Sequence, residues 1–356
     1  MRRGILVGLV ALTLVGGCQC GPGYVLSVDG PRDAEKPSAP AMLALGSKTM
    51  ARLTSSDDVG GGYPVAPSAL RKVTLSRPAV ASVARIESDS EALTFDVQAL
   101  EEGYSWVKVF TRDPRGSVEK AFGEGRYSAG TGIEVHPVGT ARIEASMPQA
   151  FDTEAPVFGP LPQVLQHTEY AVLLDEGAVR LRASYFNAED KPLGGWGIAD
   201  WASSAVSGVV LTPNGDQNAD VVEVSIASEQ GPVEITSGFE GEPITLFPVS
   251  EVAAAAVYVG IGGVLEPEQV FETTPGCLSL SLLLTDAQGR LILDSGKVPM
   301  EVDGQVDDVL TIHGRSARVC FAEPGESSVR LSWRQSHSAE LRVRVLEPAV
   351  DEGSAP

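Results

Sequence analysis

The chain has 356 residues, with 27 Lys and Arg against 47 Asp and Glu, and its formal net charge is −20. Such a surface repels phosphate backbones, which argues against nucleic acid as a partner. It also argues against electrostatic binding to anionic lipid, so attachment to a membrane would have to come from covalent lipid. Apolar residues make up 43% of the chain, too many for a disordered polymer, and the length allows two or three domains.

The N-terminal segment has the pattern of an export signal. Arg2 and Arg3 precede an apolar run at residues 4–15, whose length suits a signal peptide and is too short to cross a bilayer. The run ends in Val15-Gly16-Gly17-Cys18, which resembles the lipobox of bacterial lipoproteins. The resemblance implies cleavage before Cys18 and acylation of that cysteine, and two or more acyl chains anchor stably. The residue after the cysteine is Gln19 and not Asp, which resembles the bacterial lipoproteins that are sorted to the outer membrane. The alternative is an ordinary secretory signal in which the cysteine is incidental.

The remaining cysteines predict one disulfide. With Cys18 lipidated and Cys20 left over, Cys277 and Cys320 close a loop of 43 positions, which the chain-entropy model values at about 4 kcal/mol. Both lie out of phase with the alternating apolar residues around them, so we expect a bond on the outer face of one sheet, between neighbouring strands. The alternative is two free thiols. The apolar residues are Leu278, Leu280, Leu282, Ala317, Val319 and Phe321.

After the signal, period-2 alternation of apolar and polar residues recurs along the chain and is punctuated by Gly and Pro. This pattern predicts antiparallel strands with one wet face, packed in pairs as sandwiches. We find no amphipathic helix beyond the signal, so the expected fold class is all-β, with antiparallel β-sandwich domains in tandem. The clearest alternating segments are residues 93–97, 179–185, 278–284, 329–333 and 341–345.

A weak repeat supports a division into three modules. An acidic turn that closes on glycine precedes an alternating strand at Gly103, Gly231 and Gly325, at a spacing that suits sandwiches of roughly 100 residues. The predicted organisation is a signal peptide at 1–17, a flexible tether at 18–40, a first sandwich at 41–145, a linker at 146–162, a second sandwich at 163–250, a third with the disulfide at 251–347, and a disordered tail at 348–356.

The first module resembles the bacterial Ig-like domains of the invasin and intimin type over about residues 41–145, although it carries long inserts at 55–69 and 112–131. The second and third modules resemble the family more loosely. The resemblance implies that the sandwiches are tandem Ig-like antiparallel β-sandwich domains displayed outside the cytoplasm, and it brings no active site. Its motifs are Leu43-Ala44-Leu45-Gly46-Ser47, Pro78-Ala79-Val80-Ala81-Ser82-Val83, Val97-Gln98-Ala99 and, in the second module, Asp200-Trp201-Ala202-Ser203-Ser204.

One strand predicts an outward row of large side chains. Tyr104, Trp106, Lys108 and Phe110 share one face, and the family match places the intervening residues in the core. Exposed aromatic rings can stack on sugar rings or dock a partner. We expect instead that the insert at 112–131 or a neighbouring module covers them, and keep the binding surface as the alternative.

One acidic turn has alternating oxygen-bearing side chains, a spacing found in calcium loops. They are Asn214, Asp216, Asn218 and Asp220. The EF-hand pattern fails because Ala219 and Ser225 stand where glycine and the bidentate glutamate belong. We therefore expect a polar hairpin turn and keep a metal site as the alternative.

We find no nucleophile, P-loop or metalloprotease motif, and we expect neither catalysis nor a cofactor. The sequence favours an envelope protein, lipid-anchored and at the outer membrane, that binds an envelope protein or a glycan or serves as a stalk. The rival interpretation is a structural accessory subunit of an envelope assembly or secretion machine. An enzyme with a non-standard acidic site would need a deep cleft with paired carboxylates.

Overall fold

The computed structural model describes thirteen ranges of the chain. Within them lie 28 strands and one 3₁₀ turn, Gln163–Leu165, and no α-helix occurs in these ranges. The fold class predicted from the alternating segments is therefore confirmed. The described ranges are residues 23–32, 39–56, 62–64, 70–85, 93–111, 127–149, 157–174, 176–205, 207–216, 219–228, 231–260, 263–265 and 269–347.

The first module contains nine strands in two sheets. One sheet has the order β1-β3-β7-β6, with β4 paired to β3, and the other has the order β2-β9-β8-β5. The strands are β1 Gly23–Val28, β2 Ala41–Ala44, β3 Lys48–Ser56, β4 Gly62–Pro64, β5 Leu70–Leu75, β6 Ala81–Arg85, β7 Leu93–Ala99, β8 Gly103–Thr111 and β9 Tyr127–His136.

The second module has sheets in the orders β11-β10-β13-β17-β16, with β14 paired to β13, and β12-β19-β18-β15. Its strands are β10 Thr140–Gln149, β11 Val157–Pro160, β12 Glu169–Leu173, β13 Val179–Phe186, β14 Pro192–Leu193, β15 Ala202–Ser203, β16 Val209–Asp216, β17 Ala219–Ile226, β18 Val233–Thr236 and β19 Ile244–Val249.

The third module has sheets in the orders β21-β20-β23-β26-β25 and β22-β28-β27-β24. Its strands are β20 Ala254–Val259, β21 Gly263–Leu265, β22 Val270–Thr273, β23 Gly276–Thr285, β24 Glu301–Gly304, β25 Asp308–His313, β26 Ser316–Phe321, β27 Gly325–Trp333 and β28 His337–Val345.

The three modules repeat one strand order. In each, a short early strand runs parallel to the last strand, as β2 does with β9, β12 with β19 and β22 with β28. The other strand pairs are antiparallel wherever their register is defined, and the two sheets follow the immunoglobulin-like division of strands. The repeated acidic turns at Gly103, Gly231 and Gly325 lie at equivalent points, where the chain crosses from one sheet to the other.

Each module has its own apolar core between its sheets. In the first module Leu53, Phe95 and Ile133 are 0%, 1% and 0% exposed. Full burial of such a side chain stabilises the fold by about 1.5–3 kcal/mol. The alternating residues at 179–185, 329–333 and 341–345 likewise turn their apolar members into the cores.

Two compact units divide the chain differently from the modules. The first comprises residues 1–141, 184–199 and 215–220, and the second comprises 142–183, 200–214 and 221–356. The second sandwich, predicted at 163–250, therefore contributes residues to both units.

Within the first unit, the 184–199 segment is held to the start of the first module by backbone hydrogen bonds. The N–H of Ala44 donates to the carbonyl of Gly194 at 2.9 Å, and the N–H of Lys48 donates to that of Trp196 at 2.8 Å. A β-carbon on Gly194 would lie 2.8 Å from Cα of Gly30, so only glycine permits this approach.

Within the second unit, the cores of the second and third modules share side chains. The N–H of Ala171 donates to the carbonyl of Leu291 at 2.9 Å, and the N–H of Leu293 donates back to Ala171 at 3.0 Å. Leu283, which is out of phase with the core-facing leucines of β23, packs into the core of the second module. An apolar residue on the outer face of that strand is therefore buried by the adjoining module.

Two predicted connecting segments contain strands. The tether at 18–40 includes β1, in which Leu26 and Val28 are 5% and 4% exposed and pack into the first core. Its apolar stretch was too short to stand out among Gly, Pro and charged residues. The linker at 146–162 includes the end of β10 and all of β11, an edge strand where proline is tolerated. The predicted signal peptide and the tail at 348–356 lie outside the described residues.

Candidate binding face

The outer side of β8 carries the row of large side chains that the alternation predicts. Tyr104 and Trp106 are 42% and 41% exposed, whereas Ser105, Val107 and Val109 are buried in the first core. The strand is held between β5 and β9, so its backbone is paired on both edges. Of the insert expected to cover these rings, residues 112–126 lie outside the described ranges.

Two glycines of β9 form the surface beneath the aromatic rings. A β-carbon on Gly130 would lie 2.5 Å from Nε1 of Trp106, and one on Gly132 would lie 3.0 Å from the hydroxyl oxygen of Tyr104. Trp106 pairs directly with Gly132, so each ring leans diagonally over the glycine two positions along β9. The rings therefore lie close against the sheet, with no β9 side chain beneath them.

The charged groups of this face are mostly basic. Lys72 and Lys108 are exposed, and Lys108 Nζ lies 5.1 Å from the centre of the Phe110 ring. Glu134 is paired with His136, whose Nε2 lies 3.4 Å from its carboxylate. We call Tyr104, Trp106, Lys108, Phe110, Lys72, Gly130 and Gly132 together the aromatic face.

The alternating acidic turn falls at the β16–β17 connection, in keeping with a hairpin. Asp220 is 7% exposed and accepts hydrogen bonds from the Tyr185 hydroxyl and from three backbone N–H groups, of Gly197, Ile198 and Ala199. Burial and this bond raise the pKa of the Tyr185 hydroxyl. Asp220 thus holds together parts of the first compact unit.

The other three residues of that turn are less fully described. Asn218 lies outside the described ranges, and for Asn214 and Asp216 only the backbone, at the end of β16, is described. Among the described residues no group of three His, Cys, Asp or Glu could hold a metal ion. The calcium alternative remains an untested prediction.

Cys277 and Cys320 form a disulfide in the structure. They are directly opposite each other on β23 and β26, which are neighbours in one sheet. Cys277 is exposed, while Leu278 and Val319 beside the pair face the core. The bond is therefore of the cross-strand type on an outer face that the parity of the flanking residues predicts.

The second unit also contains a buried cluster of charged side chains that no pattern in the sequence predicts. Arg315 is 1% exposed, and its Nε lies 3.6 Å from Asp294, with Glu176 at 4.0 Å from a terminal nitrogen. Asp294 also accepts the N–H groups of Gly296 at 2.9 Å and Arg315 at 2.6 Å. These carboxylates act as structural partners of a guanidinium. A small cavity of about 10 Å³ beside them is lined mainly by leucines.

The predicted lipidation site, Cys18, lies outside the described residues, as does Cys20. In the part of the chain that the structure describes, no helix has both the length and the apolar character needed to cross a bilayer.

Comparisons with known proteins give remote likenesses. No protein-family model and no curated protein sequence matches the chain. Among solved structures, domains 5–6 of the S-layer protein SbsC match at 16% identity over 64% of this chain and 100% of that one, with a TM-score of 0.27. The Escherichia coli adhesin FdeC matches at 12% identity over 94% of this chain and 100% of that one, with a TM-score of 0.23.

Invasin, a bacterial integrin-binding protein, matches at 12% identity over 91% of this chain and 60% of that one, with a TM-score of 0.23. TM-scores this low give no support to any conclusion about function. The immunoglobulin-like assignment rests on the strand order of the modules themselves.

Proposed function

We propose that the chain is a cell-envelope protein, anchored by lipid on Cys18 at the outer membrane, whose Ig-like modules hold a partner without catalysis. The observation that carries the binding role is the aromatic face. Two exposed aromatic rings lie against the sheet, on a strand that is paired on both edges, and such a rigid surface loses little conformational entropy on binding.

Several features favour binding over catalysis. The buried carboxylates of Asp220 and Asp294 accept backbone N–H groups, so they are engaged in holding loops. A catalytic acid or base needs a carboxylate within reach of a substrate proton. The aromatic face, in contrast, exposes two rings and two lysines, which suit recognition.

The position of β1 constrains the proposed anchor. Only residues 19–22 separate Cys18 from Gly23, where β1 begins. A chain of that length spans at most about 18 Å when fully extended. An acylated Cys18 would therefore keep the first module close to the lipid headgroups, instead of on the long tether that the composition of residues 18–40 suggested.

The anchor is tested by a Cys18→Ser variant expressed in a bacterial host that processes lipoproteins. We expect the native chain in the membrane fraction with a fatty-acylated N-terminal peptide by mass spectrometry. The variant should lack the acyl mass and leave the membrane after a mild wash. A native chain that lacks fatty acid refutes the anchor and leaves the binding role to be judged separately.

The binding role is tested by capture from envelope extract with the purified full chain, beside a Trp106→Ala, Tyr104→Ala double variant. A component retained by the native chain and lost by the variant supports the proposal. Stoichiometric recovery of one protein by both chains favours instead the accessory subunit of an envelope assembly. Its supporting observation is the shared core of the second and third modules, which suits a rigid spacer.

A further inference from the structure

We propose that the aromatic face binds an acidic polysaccharide, with pyranose rings stacked on Tyr104 and Trp106 and acidic groups of the polymer beside Lys72 and Lys108. The inference rests on the proposed binding function and names the ligand class for that site.

The geometry of the two rings carries the first step. Their residues are two positions apart on one strand, so their Cα atoms lie about 6.8 Å apart along it. Both rings lean the same way over glycines of β9, and each leaves a large part of its surface open to solvent. The C–H groups on one side of a pyranose ring form a flat apolar surface of similar size. A sugar chain lying along β8 can therefore stack on both rings.

The residues around the two rings argue against a lipid or an apolar protein surface as the ligand. The described outward residues of β5 and β9 beside the rings include Lys72, Thr74, Gly130, Gly132 and Glu134, and none of these five is aliphatic. On the β2 side, Pro40 lies near Tyr104 and Met42 is 9% exposed, so they form no broad aliphatic patch. A lipid surface or an apolar protein surface would call for a contiguous aliphatic patch around the rings. Hydroxyl-rich ligands instead need hydrogen-bonding groups beside the rings, and the lysines and Thr74 supply them.

Charge decides between neutral and acidic sugars. The chain as a whole has 47 acidic and 27 basic residues. Strands β2, β5, β8 and β9 reverse this balance, since they contain Arg71, Lys72 and Lys108 and a single acid, Glu134, which lies opposite Tyr104 on β9. An anionic polymer would therefore be attracted to this sheet and repelled by much of the remaining surface.

The test measures binding of the full chain to polygalacturonate, alginate and hyaluronate, with dextran and soluble starch as neutral probes, by titration calorimetry at low salt. We expect at least one acidic polymer to bind and both neutral polymers to bind more weakly. Trp106→Ala should weaken binding by about tenfold, the loss expected for one aromatic stacking contact. Lys72→Ala with Lys108→Ala should weaken binding and flatten its dependence on salt.

Two further variants test whether a loss of binding comes from the aromatic face itself and not from a change elsewhere in the chain. Gly130→Val adds a β-carbon 2.5 Å from the present position of Trp106 Nε1, so it should displace the ring and weaken binding while retaining the tryptophan. Arg330→Ala changes an exposed residue of β27, the corresponding strand of the third module, and should leave binding unchanged.

The inference is overturned if Trp106→Ala binds as tightly as the native chain, or if neutral polymers bind equally well. It is also overturned if no polymer binds while envelope capture still depends on Trp106 and Tyr104, and the broader binding function then survives. If neither polymer nor envelope component is retained, both proposals fail.

Discussion

Strands β8 and β27 occupy the same place in the first and third modules, yet their outer faces differ. On β8 the outward side chains are aromatic rings over glycines. On β27 Glu326 accepts a hydrogen bond from Arg344 at 2.8 Å, and Ser328 donates to Glu340 at 2.8 Å. Arg344 also reaches Glu272 at 3.0 Å. One strand order thus supports two kinds of surface.

The difference shows that the sandwich does not require aromatic residues on this face. In the third module polar pairs fill it, and exposed ion pairs of this kind contribute little to stability. The large aromatic of β27, Trp333, instead points inward and is 2% exposed. Whether a large ring points into the core or out to solvent therefore depends on its position along the strand. The core of the sandwich does not account for the outward rings of β8.

The largest expected effect comes from removing Trp333, the buried tryptophan of β27. Trp333→Ala should lower the free energy of unfolding by about 3–5 kcal/mol, because it leaves a cavity in the third core. Chemical denaturation followed by circular dichroism measures the loss, with Trp333→Phe as a milder control. A loss below about 1 kcal/mol would show that the third core is not packed as described.

The next largest expected effect is the loss of the disulfide, which should change the stability of only the compact unit that contains the third module. Reduction, or the Cys277→Ser, Cys320→Ser double variant, should destabilise the second compact unit by about 2–4 kcal/mol. The first compact unit holds no part of this bond and should unfold as before. Calorimetric scans with and without reductant resolve the two transitions, and a shift confined to the first would contradict the assignment.

A smaller, pH-dependent effect is expected at the turn after β23. Burial would raise the pKa of Asp286, but hydrogen bonds from Arg290 and Gln288 outweigh it and hold the pKa below its ordinary value of 3.8. Its contribution is present above that value and is lost as the pH falls through the lowered pKa. Asp286→Asn should cost about 1–2 kcal/mol at neutral pH, and this loss should shrink as the pH falls through the lowered pKa of Asp286. A loss that stays the same from neutral to strongly acidic pH would refute the electrostatic account.

The smallest effect on stability should come from Trp106→Ala. Its ring is exposed on the aromatic face, so the change in unfolding free energy should stay within about 0.5 kcal/mol. The same denaturation experiment as for Trp333 provides the comparison. A loss of several kcal/mol would mean that the ring serves the fold of the first module.

Much of this architecture is encoded in local alternation. The alternation of apolar and polar residues at 329–333 and 341–345 predicts both the strands and their core-facing sides, because side chains in a strand also alternate between two faces. The same parity places both disulfide cysteines outward. The sequence does not predict β1, a short apolar stretch flanked by Gly and Pro, or β11, four residues that include Gly and Pro. β14 and β15 have two residues each, too few to show any periodicity.

The candidate face could be predicted only in part. The outward parity of Tyr104 and Trp106 follows from β8 alone. The glycines beneath them depend on the register of β8 with β9, and an insert separates these strands in the chain. Arg315 lay beyond prediction for a similar reason, because its carboxylate partners come from distant segments.

The parallel pairing of an early strand with the last strand in each module has a mechanical consequence. In β22 and β28, Val270–Thr273 lie beside 342–345 and run in the same direction. Tension that pulls β22 from its N-terminal end and β28 from its C-terminal end slides the strands past each other. All hydrogen bonds of the pair then bear the load together, instead of opening one by one. A module built in this way resists stretching along these strands, a property that the envelope role proposed above would use.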